Sequence, residues 1–295
     1  MPSDIAQPIM TLIADSTWNA FEYIESFGKR YGNIPEIGSP AAIELSTHEE
    51  VGPNGRWPEK ALETAYTLAG AVFIGAAGQY LFALNQLLQV PMALFGYQVV
   101  TRSLVESAAR AWWILDPTID PRERVVRASV ERWFSIVELG KAASSIQRDP
   151  NEQKQRELEF RAQIAGLGLT EKPDRRGHLI GFEDSVRVDS TPLVHNFLTS
   201  LGIRHGEFWY RTMSGISHSA LYSYMHYHKA KVDPLAERAE LTPDLPIEAV
   251  ANAAVLGIGS YMWAVEHHAR LYGRDSEAVG RKRIEIVGRI LTTLR

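Results

Sequence analysis

The chain has 295 residues, 45% of them hydrophobic and 22% charged, with seven Trp, the composition of a folded globular protein. Its net charge of -4 supplies no global attraction for nucleic acid or anionic membrane, so any such contact must use a local basic patch. With no Cys, disulfides, thiolate metal sites and a Cys nucleophile are excluded; a reducing, cytoplasmic setting fits that composition.

The N-terminal "MPSDIAQPIMTLIAD" lacks a basic leader, and its apolar run is broken by Asp15, which argues against a secretory signal. Ile9, Leu12, Ile13, Trp18, Phe21 and Ile24 recur at helical spacing and predict a helix over about 5–28, ended by Gly28. Residues 31–57 carry turn residues without a period and read as a loop. Pro58 suits the first turn of a second helix, which runs to about Gln89.

No charged residue occurs between Thr64 and Thr101. That stretch is long enough for a bilayer span, but Gln79, Asn85, Gln86 and Gln89 interrupt it and no basic cluster flanks it. It reads instead as a central helix packed closely on all sides, not as a membrane span.

Pro91 opens a helix to Asp116, "DPTIDP" turns, and 121–148 forms the next helix. Asp149 and Pro150 cap another, ending at Gly166. Residues 167–190 are polar and irregular. A short helix over 191–202 precedes a longer one over about 206–228; residues 229–246 form a break, and helices at about 247–272 and 275–294 close the chain. No strand alternation or fixed repeat is evident. The expectation is a single all-α domain over 1–295, a helical bundle with its core at about 58–228 and peripheral N- and C-terminal helices.

Two constellations could carry chemistry. Arg102, Glu106 and Arg110 are spaced i, i+4, i+8 and make one stripe, either exposed ion pairs or an inward charged seam. A buried Glu106 would need a guanidinium partner, with Arg124 and Arg127 on the next helix as candidates. In "FWYRTMSGISHSALYSYMHYH", Arg211, Ser214 and His218 lie at i, i+3, i+7 on one helical face. Arg can grip a phosphate in two-pronged fashion and His can move protons near neutral pH. The set suits RNA cleavage: Arg211 on the scissile phosphate, His218 as acid or base, Ser214 orienting phosphate or water, Tyr210 and Tyr222 offering stacking faces. The same residues also suit a packing seam, since Gly215 and the serines allow close helix approach.

Metal ligation is not expected. His226 and His228 diverge on a helix, as do the adjacent His267 and His268, and HExxH is absent. A site assembled from His218, His226 and His267 across helices is the remaining arrangement. Phosphate-loop and Gly-x-Ser-x-Gly motifs are also absent. "GIGSY" at 257–261 reads as close packing. The basic C-terminal stretch either tracks RNA phosphates or is a solvated face.

The order of "RSLVESAARAWWILDP" followed by "YRTMSGISH" resembles a group of bacterial all-helical proteins and, more distantly, the HEPN superfamily, over roughly 60–228. HEPN ribonucleases carry an Arg, four to six residues and then a His, which Arg211 and His218 match. Thr212 stands where those nucleases usually have Asn, Asp or His. The resemblance implies an all-α, typically dimeric, cofactor-independent and metal-independent endoribonuclease of the toxin or antiviral-defence kind. Its site forms where two protomers meet, and Glu106 is a looser candidate for the family's acidic residue. Implied partners are RNA, a second copy, and an antitoxin or other protein; Arg102 would assist substrate binding. The alternative is a non-catalytic interaction or dimerisation protein that uses the 206–228 helix as a seam.

Overall fold

The computed structural model describes residues 6–32, 34–47, 60–90, 95–146, 150–220, 228–233, 238–243 and 246–294. It is the expected all-α bundle: α1 (Ala6–Tyr31), α2 (Pro40–Ser46), α3 (Ala61–Leu88), α4 (Gly96–Ile114), α5 (Pro121–Ser145), α6 (Pro150–Gly166), α7 (Ser190–Ser200), α8 (Gly206–Ser217), α9 (Ile247–Leu271) and α10 (Ser276–Thr293). Two small antiparallel sheets accompany it. Strands β1 (Glu171–Pro173), β2 (Leu179–Phe182) and β3 (Ser185–Val186) pair in that order, and β4 (His228–Asp233) pairs with β5 (Arg238–Pro243).

Several ends follow from local chemistry. Asp120 caps α5 by accepting from the Glu123 amide at 2.7 Å, with Pro121 at the first helical position. Ser39 accepts from the Ala42 amide at 3.2 Å and Pro40 opens α2, a helix inside the stretch expected to be loop. The proposed starts at Pro58, Pro91 and Asp149 lie outside the described residues.

The helix expected over 206–228 stops at Ser217. Ser219 takes a left-handed φ of 54°, and the amides of His218, Ser219 and Ala220 turn back to the carbonyls of Ser214, Ile216 and Gly215. His228 consequently lies on a strand and not on that helix. The polar residues at 167–190 form the three-stranded sheet, pinned by the buried Phe182 against Phe160 and by the Trp133 indole donating to the Leu179 carbonyl at 3.0 Å.

The hydrophobic centre extends beyond 58–228. Helix α4 packs against α3, α7, α8 and α9, and α9 packs in turn against α1 and α10. Most of α9 is buried, from Val250 to Leu271, so it belongs to the core and not to the periphery. Its glycines permit this: a Cβ at Gly257 would meet Leu84 at 3.2 Å, and one at Gly259 would meet Leu201 at 3.3 Å.

Helix α3 contains a π-helical stretch, Leu68–Ile74. By length and composition α3 could cross a membrane, but a core helix passes the same test. It is not packed on all sides. Only 33% of its most apolar window is buried, and Val72, Tyr80 and Phe82 are exposed.

Candidate functional site

Helix α8 owes its orientation to an apolar stripe. Tyr210, Met213, Gly215 and Ile216 are buried against α4 and α7, which turns Glu207, Arg211, Ser214 and His218 outward. Arg211 and His218 are exposed, and Ser214 is half-buried between them. Seven residues of α-helical rise separate Arg211 from His218 by roughly 10 Å along the axis. Arg211 Nε donates to Glu207 Oε1 at 2.7 Å, a pair whose side chains are 63% and 44% exposed. Exposed i, i+4 pairs of this kind are worth only about 0.3–0.5 kcal/mol, so a phosphate can displace this carboxylate.

The buried side of α8 joins it to α4. The Tyr210 hydroxyl donates to Glu106 Oε1 at 2.6 Å, and Arg102 Nε lies 2.9 Å from the same oxygen. The Arg102 guanidinium sits 5.8 Å from the centre of the Tyr210 ring. Arg102, Glu106 and Tyr210 therefore converge, as the sequence alone did not require. Burial, reinforced by the hydrogen bond and charge of Glu106, raises the Tyr210 pKa.

This convergence corrects two expectations. Tyr210 is only 2% exposed and offers no free face for a nucleobase. Its ring is apolar filling for the α4–α8 contact and its hydroxyl a fixed donor, because a buried phenol needs a partner. Glu106 is held by Arg102 and Tyr210, not by Arg124 or Arg127. Tyr222 and His226 lie outside the described residues.

Arg124 and Arg127 serve other carboxylates. Arg124, fully buried, donates to both oxygens of Glu44 at 3.0 and 3.1 Å and to the Ile114 carbonyl at 2.6 Å. The Tyr66 hydroxyl completes Glu44 at 2.7 Å. Arg127 bonds Glu123 at 2.7 Å. The third member of the α4 stripe, Arg110, turns inward and pairs with buried Glu131, while its second nitrogen donates to Ser190 at 3.2 Å. The stripe is thus half-buried at one end and buried at the other.

Phe208 was missed. It is 53% exposed on the same side of α8 as Arg211, three residues before it. An aromatic at i−3 from a candidate phosphate clamp is a visible sequence signal, and its open ring makes it a better stacking platform than Tyr210.

His267 and His268 point apart. His267 Nδ1 meets the Trp263 carbonyl at 3.1 Å, while His268 stacks on Tyr272 at 4.0 Å. Among the described residues, no three His, Asp or Glu side chains are grouped to hold a metal ion. The basic C-terminal residues are largely paired along or beside α10: Arg281 with Glu277, Lys282 and Arg289 with Glu285, Arg283 and Arg270 with Glu266. They form no free cationic track, and Arg295 lies outside the described residues.

Comparison with protein-family models, with curated proteins and with solved structures returns no match.

Proposed function

We propose that the outward face of α8 binds RNA and cleaves it without a metal ion. The observation that supports this reading is the joint exposure of Arg211, His218 and Phe208, with Ser214 half-buried between them, on a helix whose opposite face is locked into the bundle. Arg211 neutralises the scissile phosphate in place of Glu207, Ser214 orients a phosphate oxygen, and Phe208 stacks on a base. The 2′-hydroxyl oxygen attacks phosphorus as its proton passes to a base. The P–O5′ bond breaks, and the departing oxygen takes a proton from an acid. His218 fills one of these roles; a second copy facing the first supplies His218 for the other, the dimeric arrangement the HEPN resemblance implies. A toxin or antiviral-defence role belongs to the same reading.

One observation favours a second reading. Arg211 is already engaged by Glu207, and an exposed Phe208 beside an ion pair is also the chemistry of a protein contact patch. On that reading the chain is a non-catalytic interaction protein and α8 is its seam. The separating experiment incubates purified protein with RNA in chelator, comparing wild type with His218→Gln and Arg211→Ala after circular dichroism has established folding. Cleavage lost in both folded variants supports the nuclease. Folded wild type inert on varied RNAs supports the seam.

A further inference from the structure

The turn between α9 and α10 buries a positive charge that no carboxylate among the described residues touches. Arg274 is 8% exposed. One of its nitrogens, Nη2, donates to the backbone carbonyls of Gly32 and Ile34. Its guanidinium lies 4.8 Å from the Tyr272 ring centre and 6.0 Å from that of Tyr31. Nε is buried without a hydrogen-bond partner among the described residues. No carboxylate of those residues forms an ion pair with Arg274. The exposed Glu36 acts on it only at longer range. Arginine stays protonated in proteins, and a buried cation without a counter-ion is costly.

Arg274 borders a cavity of about 250 Å³ between α1, α3 and α9. Ile24, Phe27, Ile74 and Val265 make its walls apolar. The π-helical stretch of α3 forms one side, and such stretches often occur at functional sites. Its Gly70 leaves room for His268: a Cβ there would lie 3.0 Å from Nε2. Burial pushes the His268 pKa down to about 4, so the ring is neutral at pH 7 and adds no second cation. Glu44, which accepts from Tyr66 of the cavity wall, is already taken by Arg124.

We infer that this cavity binds a small apolar carboxylate, aromatic or short-chain. Its carboxylate would pair with Arg274, which lines the cavity, and its hydrocarbon would lie on the apolar walls. The volume falls below the roughly 300–1,000 Å³ of drug-sized sites, which sets the occupant near the scale of benzoate. A monoanion balances the single buried charge. A phosphate dianion would bring a second negative charge that the single guanidinium does not balance. The inference is independent of the α8 face.

Binding of sodium benzoate and sodium hexanoate to the full chain is measured by calorimetry and ligand-observed NMR, with benzamide, hexanol and inorganic phosphate as controls. Saturable binding of the carboxylates is expected, at least ten-fold tighter than any control. Arg274→Gln should weaken it at least ten-fold. Because Arg274 also ties down Gly32 and Ile34, Ile74→Trp serves as a second variant; it fills the cavity from the apolar side and should also abolish binding. The inference is overturned if folded wild type shows no saturable carboxylate binding. It is equally overturned if benzamide or phosphate binds as tightly as benzoate, or if both variants, folded, bind like wild type.

Discussion

Tyr210 donates its hydroxyl to Glu106 at 2.6 Å across the contact between α8 and α4. That bond fixes the helix carrying Arg211 and His218 to the centre of the bundle, and it assigns Tyr210 to support rather than to substrate. Tyr210→Phe keeps the ring and removes the donor. The expected cost is about 0.5–1.5 kcal/mol, a few degrees in Tm, with RNA affinity unchanged. A large loss of affinity at unchanged Tm would return Tyr210 to the substrate.

Arg110 with Glu131 and Arg124 with Glu44 are ion pairs whose members are both largely sealed from water. Removing the arginine takes the main partner from a buried carboxylate, leaving Glu131 with Arg187 at 3.6 Å and Glu44 with the Tyr66 hydroxyl. Arg110→Ala and Arg124→Ala should each lower stability by about 3–5 kcal/mol, measured by urea denaturation. Exchanging the exposed Arg281 for Ala, which breaks only its pair with Glu277, should cost under about 0.5 kcal/mol.

The helices were largely legible from the 3.6-residue period, and the cap at Asp120–Pro121 from residue type alone. Ser39–Pro40 carried an equally good cap signature for α2, hidden by the turn-rich residues around it. The early end of α8 was not legible. Its period continues past Ile216, and the break depends on Ser219 adopting a left-handed backbone that few non-glycine residues take. Nor were the buried pairs. Arg124 and Glu44 are 80 positions apart, and no local spacing links them. In the candidate site, the shared face of Arg211, Ser214 and His218 follows from helical geometry. Whether Tyr210 or Phe208 is the open aromatic was decided by which side of α8 meets α4.

Acid should weaken the fold through His268. Burial holds its pKa at about 4, against 6.5 when solvated. Between those values the unfolded chain binds the proton and the native chain does not. The stabilisation is therefore complete above pH 6.5 and is lost as pH falls towards 4, by on the order of 2–3 kcal/mol. The check is Tm from pH 7 to 4 in wild type and His268→Gln: the wild-type curve should fall more steeply.

Val72, 51% exposed on α3, tests how that apolar helix is solvated. With the face in water, Val72→Lys should change stability by less than about 0.5 kcal/mol, and the protein should remain extractable without detergent. A requirement for detergent in wild type that the lysine relieves would place the face against lipid.

The most direct test of the α8 reading uses RNA and a matched strand with 2′-deoxy nucleotides, incubated with the folded chain in excess chelator. The expected result is ribose-dependent cleavage leaving a 2′,3′-cyclic phosphate and a 5′-hydroxyl, reduced about 10²–10⁴-fold in His218→Gln. No cleavage by folded wild type, equal cleavage of the deoxy strand, or undiminished cleavage by His218→Gln would contradict it.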